Sequence, residues 1–377
     1  MLQNISVPKK ALALSFAVLQ EVTHSASAAP AKCPQPQLVT GYSTWTSLKN
    51  DIESSNGGGT FNLCPGSVLD AAENPTTTND WRWIYITDDN SRSGVTIQCG
   101  DQNKYHGECT IQGSNHHFAI AKESGEITIK GITFKGSGMS CIYVDSGNVG
   151  KPLNVIDCNF IENTDTQKFN KNGGTIDLHS GRDKSITFTE CNFGNNLHNS
   201  EDGKLINVEE ESVVAFNKCT FNDNFGKANL VHVHGGSATF HQCSFIDNLM
   251  PGTTMLWADH GGGDITLNDC IVHRNDAWNI IASGNAADIN IHKTCFVNNV
   301  VHHQAVAYVV GGGYSSNDNF GGENSKCNGF YFYTESECQE FKSNQCQSSL
   351  KNDLPPPSTS TKALHRPQQV LCCLVRH

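Results

Sequence analysis

The feature that most constrains this chain is an internal repeat of the form Φ-x-Φ-x-x-C-x-Φ-x-x-N, where Φ is an apolar residue. Six segments carry it: VIDCNFIEN (155–163), FTECNFGNN (188–196), FNKCTFNDN (216–224), FHQCSFIDN (240–248), LNDCIVHRN (267–275) and IHKTCFVNN (291–299). The sixth has Thr294 at the cysteine position, with Cys295 one residue later. Apolar anchors aligned to the repeat fall at positions 111, 134, 160, 193, 221, 245, 272 and 296, at intervals of 23 to 33 residues. Repeats of this length are typical of solenoids, in which each unit packs on its neighbours.

The spacing within each repeat indicates short strands rather than helices. The Φ-x-Φ alternation is strand periodicity, and the x-x step is a bend between two strands. A further strand lies in each interval: CIYVD (141–145), TIDLH (175–179), LINVE (205–209), LVHVH (230–234) and MLWAD (255–259). No helical pattern of ten residues fits between the anchors. We therefore predict an all-β fold, a right-handed parallel β-helix solenoid of about eight coils with N- and C-terminal caps.

Stacked coils place equivalent side chains in columns about 4.8 Å apart. A column of phenylalanines is predicted to fill the interior: Phe160, Phe193, Phe221 and Phe245. The asparagine that ends each repeat is predicted to occupy a left-handed turn position and to bond its amide to the next coil. The repeated cysteines share the inward parity of the phenylalanines. We interpret them as core thiols rather than metal ligands, because a linear stack does not supply tetrahedral geometry.

The regions that flank the repeat differ in composition. Residues 1–28 are predicted to be a signal peptide, with two lysines, a short apolar stretch and a small-residue cleavage site in the expected order. The rest is predicted to comprise an N-terminal cap and first coil (29–95), the parallel β-helix (96–325), a cysteine-containing C-terminal cap (326–350) and a disordered Pro/Ser/Thr tail (351–377). Within the first cap we predict a short helix near 45–53. Cys99 and Cys109 are close enough in sequence to form a local disulfide.

Cysteine content and charge limit the compartment and the partners. All 16 cysteines follow the cleavage site, which suits an oxidising compartment, so we expect a secreted protein that is extracellular or at the cell surface. The 26 basic and 37 acidic residues give a net charge of −11. That charge argues against nucleic acid as a partner, and against polyanions unless a divalent cation bridges the charges. No later segment predicts a membrane span.

A signal peptide followed by these coils resembles the pectin-lyase-like superfamily of right-handed parallel β-helix proteins, over about residues 60–325. The resemblance implies the fold and an extracellular role connected with polysaccharides. It implies no single activity, since members range from pectate lyases, polygalacturonases and pectin methylesterases to non-catalytic adhesins. Asn163-Thr164-Asp165 matches the first polygalacturonase motif, but Asn163 belongs to the turn ladder, and the Asp-Asp, Gly-His-Gly and Arg-x-Lys motifs do not follow it.

One group of residues is a candidate binding or catalytic site: the outward side chains of the further strand in each coil. Alternation predicts two adjacent columns: Tyr143, Asp177, Asn207, His232 and Trp257 in one, and Asp145, His179, Glu209, His234 and Asp259 in the other, followed by His260. The candidate catalytic residues are the acids and imidazoles Asp177, His179, Glu209, His234 and Asp259. The candidate substrate-binding residues are Tyr143, His232, Trp257 and His260, because aromatic rings can stack on sugars. A metal site could use His232, His234, Glu209 and Asp259, but we expect no resident metal or cofactor, with Ca²⁺ as the one ion to consider.

Three functions remain open. The first is a non-catalytic protein that binds extracellular or cell-wall polysaccharide. The second is a polysaccharide lyase or glycoside hydrolase that works from the 143–260 face. The third is a protein-binding adhesin or a rigid surface spacer, in which the face is stabilised by paired charges alone. The absent catalytic motifs count against the second, and the Pro/Ser/Thr tail favours the first and third as a linker; of these we predict the first, a binding protein rather than an enzyme.

Overall fold

The structure is a computed structural model. It describes residue 33 and residues 41–72, 83–100, 107–113, 116–121, 123–147, 151–165, 174–180, 185–198, 203–209, 211–260, 263–284, 287–302, 306–309, 314–317 and 320–321. The predicted signal peptide, C-terminal cap and Pro/Ser/Thr tail lie outside the described residues. No helix among the described residues is long and apolar enough to cross a membrane.

The described residues form a parallel β-helix with three sheets that run along its length. Sheet 1 comprises Gly59–Leu63, Val95–Cys99, Ile127–Lys130, Leu153–Ile156, Ser185–Thr189, Val213–Asn217, Ser237–His241, Asp264–Asn268, Ile289–His292 and Tyr314–Asn317. Sheet 2 comprises Val68–Asp70, Cys109–Gln112, Ile132–Lys135, Asn159–Ile161, Asn192–Gly194, Thr220–Asn222, Ser244–Ile246, Ile271–His273, Cys295–Val297 and Phe320–Gly321. Sheet 3 comprises Ile84–Ile86, Phe118–Ile120, Ile142–Gly147, Thr164–Asp165, Gly174–Ser180, Leu197–His198, Lys204–Glu209, Phe225–Gly226, Val231–His234, Leu249–Asp259, Asp276–Ser283, Val300–Val301 and Ala307–Val309. Each coil passes through the three sheets in turn, so the predicted fold is confirmed.

The number of coils differs in detail from the predicted eight. Sheets 1 and 2 each contain ten strands. All eight anchors of the repeat lie in sheet 2, and the structure adds one strand before them, Val68–Asp70, and one after them, Phe320–Gly321. In the first of these strands Leu69 pairs with Ile111, but no cysteine or asparagine of the repeat accompanies it; in the second, Gly321 pairs with Phe296, so a glycine occupies the apolar anchor position.

The interior is filled by stacked aromatic rings. Phe160, Phe193, Phe221 and Phe245 stack nearly parallel on one another, with ring centroids 4.7–4.8 Å apart. A second column, Phe188, Phe216 and Phe240, packs edge-on against the first. All these rings are fully buried. The predicted core column is therefore confirmed, and the second column extends it from sheet 1.

The asparagine ladder is also present, but its turn geometry differs from the prediction. Asn163, Asn196, Asn224, Asn248, Asn275 and Asn299 are linked from coil to coil by hydrogen bonds between their side-chain amides. The left-handed conformation falls on the residue before each asparagine, for example Glu162 (φ 54°) and Asp247 (φ 56°). The prediction for the asparagine itself was wrong, because its side chain must point inward to bond while the preceding residue makes the turn.

The repeated cysteines are core thiols, as the sequence indicates. Cys158, Cys191, Cys219, Cys243 and Cys270 are free and buried. The Cys219 thiol donates to the carbonyls of Phe188 and Asn217, each at 3.5 Å. Burial raises the pKa of Cys158, Cys219 and Cys270, so these groups stay protonated and pack as small apolar side chains.

The N-terminal end of the solenoid is covered by a helix and held by disulfides. The helix Trp45–Ser54 lies where the sequence predicts one, and it buries Trp45, Leu48 and Ile52. A second helix, Asp88–Ser91, is a single turn. Disulfides join Cys33 to Cys64 and, as predicted, Cys99 to Cys109. These two disulfides, both between described residues, fit an oxidising compartment.

Candidate functional site

The outward surface of sheet 3 carries a continuous set of polar and aromatic side chains, which we call the polar face. Its members are Tyr143, Asp177, His179, Asn207, Glu209, His232, His234, Trp257, Asp259 and His260. The first predicted column is present in full, since strand pairing joins Tyr143, Asp177, Asn207, His232 and Trp257 in that order. In the second column, Glu209, His234 and Asp259 pair in register. The pairing of Asp145 with His179 is broken by a register shift after Leu178.

The first cluster on this face centres on His179. Its Nε2 atom lies 2.9 Å from Asp177 Oδ1, and its Nδ1 atom lies 3.1 Å from Glu209 Oε2. The Asn207 amide donates to the same two acids, at 2.9 Å to Asp177 and 2.8 Å to Glu209. Asp177 and Asn207 are almost fully buried, at 2% and 0% exposure. The alternation predicts that they point away from the core, but it does not predict that they are covered.

These contacts hold the cluster in charged form. Burial lowers the pKa of His179, but the hydrogen bonds and charges of Asp177 and Glu209 outweigh it and raise the pKa to about 10. The hydrogen bond from His179 lowers the pKa of Glu209 to about 2, against a smaller opposing effect of burial. Near neutral pH the cluster therefore contains an imidazolium held by carboxylates.

Replacing His179 with glutamine is expected to remove a contribution to stability that depends on pH. Because the pKa of His179 is raised, this residue contributes fully to stability below pH 6.5, and its contribution is lost as the pH rises through about 10. Because the pKa of Glu209 is lowered, this residue contributes fully to stability above pH 4.5, and its contribution is lost as the pH falls towards 2. The difference in denaturation midpoint between wild type and His179→Gln should thus be largest between pH 4.5 and 6.5 and shrink on both sides.

Chemical denaturation at a series of pH values measures this difference. His241→Gln is the matched control, because His241 is a half-exposed histidine 4.0 Å from Asp269 on sheet 1. A difference for His179→Gln that stays constant from acid to alkaline pH would contradict the charged cluster.

The second cluster centres on Asp259. Three imidazole nitrogens surround its Oδ1 atom: His234 Nδ1 at 2.9 Å, His232 Nε2 at 3.2 Å and His260 Nδ1 at 3.3 Å. The indole of Trp257 donates to the other oxygen, Oδ2, at 3.1 Å. The ring of His260 lies over that of His234, with centroids 3.9 Å apart. The side chains of His232 and Asp259 are mostly covered, whereas His234 and His260 are open to solvent, at 37% and 60% exposure.

The electrostatics of this cluster favour an ionised acid beside a neutral imidazole. Burial would raise the pKa of Asp259, but hydrogen bonds from His232 and Trp257 lower it well below its usual range. Burial also lowers the pKa of His232. The Nδ1 atom of His232 is buried with no hydrogen-bond partner among the described residues, so Asp259 is the group that orients this ring.

The aromatic part of the face is longer than the sequence predicts. Strand pairing continues the first column upstream through Ala119 to Tyr85, and downstream from Trp257 through Ala282 to Tyr308. Tyr85 is exposed and Tyr308 is half-buried. The signal that could have identified them is their parity within Ile84–Ile86 and Ala307–Val309, two strands that the sequence analysis does not predict.

Two further aromatic residues extend the first cluster at its upstream end. The ring of His116 lies 5.8 Å from that of Tyr143 and 4.9 Å from that of Trp83. Tyr143 in turn lies 5.6 Å from His179. Both Trp83 and His116 precede their strands in sheet 3 and so fall outside the alternation. Burial and the neighbouring Asp145 raise the pKa of Tyr143 to about 12, so its phenol remains a hydrogen-bond donor.

The fold and this face define a parallel β-helix protein with a polar, partly aromatic lateral surface. No model of a known protein family matches the chain, and no curated protein matches it. Among solved structures, the pectin methylesterase from Aspergillus niger, in deglycosylated form, is 11% identical, with a TM-score of 0.39, over 81% of this chain and 91% of that one. The A-module of the Azotobacter vinelandii mannuronan C-5 epimerase AlgE6 is 12% identical, with a TM-score of 0.30, over 76% and 98%. The AlgE4 A-module is 12% identical, with a TM-score of 0.29, over 75% and 95%. Similarity this low carries no argument about what the chain binds.

Proposed function

We propose that the chain is a secreted protein that binds an extracellular polysaccharide along the polar face without cleaving it. The observation that carries the proposal is the row of hydrogen-bonding side chains on five successive coils, with an aromatic residue at each end, Tyr143 and Trp257. Where Asp177 and Asn207 are covered, their neighbours His179 and Glu209 present the polar groups that reach the surface. Five coils spaced by about 4.8 Å extend over about 19 Å. A row of that length suits an elongated polymer rather than a small molecule.

The chemistry of the row fits hydroxyl groups. Carboxylates accept hydrogen bonds, the phenol donates one, and imidazole can do either. Sugar hydroxyls both donate and accept, so each coil can satisfy one. The rings of Tyr143 and Trp257 add apolar surfaces on which a pyranose can stack. The indole of Trp257 reaches over the next coil, where a Cβ at Gly284 would lie only 3.2 Å from it.

Charge favours a neutral polysaccharide. The chain carries a net charge of −11, and Glu209 and Asp259 lie on the binding surface itself, with Asp177 directly beneath it. A polyuronate would meet this negative potential unless a cation screened or bridged it. Neutral glycans meet no such penalty.

The state of the carboxylates supports binding rather than hydrolysis. A glycoside hydrolase needs a carboxylic acid that is still protonated near its working pH. The pKa of Glu209 is lowered to about 2, and that of Asp259 is lowered as well. Both groups are therefore ionised and cannot donate a proton to a leaving group.

The test is affinity electrophoresis against immobilised neutral β-glucan, mannan and xylan, and against polygalacturonate and alginate with and without Ca²⁺. We expect retardation by at least one neutral glycan, and a loss of about tenfold in affinity in Trp257→Ala, since one stacked ring contributes roughly 1–1.5 kcal/mol. Trp278→Ala is the matched control, because Trp278 is a 41% exposed tryptophan that is not part of the polar face. Equal loss in both variants, or no retardation by any glycan, would contradict the proposal.

A second candidate function, cleavage by proton abstraction, is favoured by one specific contact. His234 Nδ1 lies 2.9 Å from Asp259 Oδ1, and the ring is partly open to solvent, an arrangement that could orient a general base. Incubation with the same panel, followed by assays for new reducing ends and for unsaturated uronate absorbance, decides this. Product that forms with wild type but not with His234→Ala would show that the chain is an enzyme and would replace the binding proposal.

A further inference from the structure

The Asp259 cluster has more nitrogen donors than its oxygen can use. Three imidazole nitrogens, from His232, His234 and His260, lie within 3.3 Å of the single atom Oδ1. One carboxylate oxygen offers about two lone pairs, and the indole of Trp257 already occupies the other oxygen. An ion pair between neighbouring strands needs only one imidazole for each carboxylate. Ion pairing therefore does not explain why three imidazoles converge on Asp259.

The distances agree with those around a bound metal ion. The ligand atoms of His232, His234 and Asp259 all lie within 4.8 Å of one another, the one group of three or more such residues among the described part of the chain. Two of the separations, His234 Nδ1 to Asp259 Oδ1 and His232 Nε2 to Asp259 Oδ1, are 2.9 and 3.2 Å. In a tetrahedral zinc site with bonds of 2.0–2.2 Å, neighbouring ligand atoms are about 3.3 Å apart.

We propose that His232, His234 and Asp259 bind one divalent transition-metal ion of the Zn²⁺ type, with the fourth position open to solvent beside His260. The two histidines come from one coil and the acid from the next, so the ion joins adjacent coils. The two imidazole planes are inclined by 69°, which lets their nitrogens converge on one point. The surrounding negative charge of the chain also favours a cation.

The composition of the site selects the class of ion. Two imidazoles and one carboxylate are typical ligands of zinc and related transition metals, whereas Ca²⁺ takes oxygen ligands in larger number. Trp257 donates to the non-coordinating oxygen Oδ2 at 3.1 Å. A hydrogen bond of this kind orients a ligand carboxylate, and its loss typically weakens metal binding by 10–100-fold.

Equilibrium dialysis of the full chain against Zn²⁺, with the bound metal counted by mass spectrometry, tests the site. We expect one ion per chain in wild type and in His241→Gln, and no ion at the same free Zn²⁺ concentration in His234→Gln or Asp259→Asn. Trp257→Phe should bind about tenfold more weakly. Excess Ca²⁺ should not displace Zn²⁺. Circular dichroism and denaturation midpoints establish that each variant is folded.

Co²⁺ as a spectroscopic probe separates this site from the cysteines. Binding to nitrogen and oxygen ligands in a four-coordinate site produces visible d–d absorption without an intense thiolate charge-transfer band. We expect that spectrum in wild type and its loss in His234→Gln. An absence of bound metal in wild type, retention of the ion in both ligand variants, or a thiolate band would each overturn the proposal. No polysaccharide is present in these measurements, so their outcome is independent of the proposed function.

Discussion

Replacing Phe221 with alanine is expected to lower the free energy of unfolding by about 3–5 kcal/mol. Phe221 is fully buried at the middle of the aromatic column. Its ring stacks on Phe193 at 4.8 Å and on Phe245 at 4.7 Å, and meets the edges of Phe216 and Phe240. The neighbouring rings are held by their own coils and cannot move in to fill the space, so a cavity remains.

Chemical denaturation followed by circular dichroism measures the loss. Val213→Ala is the control, because Val213 lies in sheet 1 with 43% exposure and its truncation should change stability by no more than about 0.5 kcal/mol. A Phe221→Ala chain that is as stable as Val213→Ala would show that the column does not hold the coils together.

Replacing Asn248 with alanine is expected to destabilise the chain by about 2–5 kcal/mol, although it removes few apolar atoms. The Asn248 amide donates to the Phe221 carbonyl and to Asn275 Oδ1, each at 2.9 Å. Its Oδ1 atom accepts from the backbone and the side chain of Asn224, at 3.2 and 2.8 Å. Alanine leaves these buried groups without partners, and each such group costs about 1–3 kcal/mol.

Asn268→Ala is the matched control for this variant, because Asn268 is a half-buried asparagine at the end of a strand of sheet 1 and is not part of the ladder. The same denaturation experiment should show a change of about 0.5 kcal/mol or less for it. If the two alanine variants lose similar stability, the ladder is not a principal support of the turn.

The phenylalanine column and the asparagine ladder explain why the fold could be predicted from sequence. A parallel β-helix repeats each side-chain environment once per coil, so an inward position such as that of Phe221 recurs as the same residue type. Strand alternation then determines which neighbours face outward, and it predicts the column from Tyr143 to Trp257 correctly. The first coil was missed because a single apolar residue, Leu69, marks it, and the last because Gly321 occupies its apolar anchor position.

What the sequence could not predict is set by the turns and by side-chain rotation. The position of the left-handed residue depends on which of two adjacent side chains points inward, and the spacing alone does not distinguish Glu162 from Asn163. The register shift after Leu178 removes the predicted pairing of His179 with Asp145, and the His179 ring instead contacts Asp177 and Glu209. The convergence of His232 and His234 on Asp259 depends on rotamers, which leave no periodic signal.

The central claim is that the polar face is a polysaccharide-binding surface. Hydroxyl-radical footprinting in the presence of a glycan that binds is the most direct test of it. The full chain is oxidised with and without the tightest-binding glycan of the panel, and the labelled side chains are quantified by mass spectrometry. We predict protection of Trp257, His234 and His260, with Trp278 unchanged as an internal control. Protection of Trp278 or other surfaces while Trp257 and both histidines stay reactive would contradict the claim.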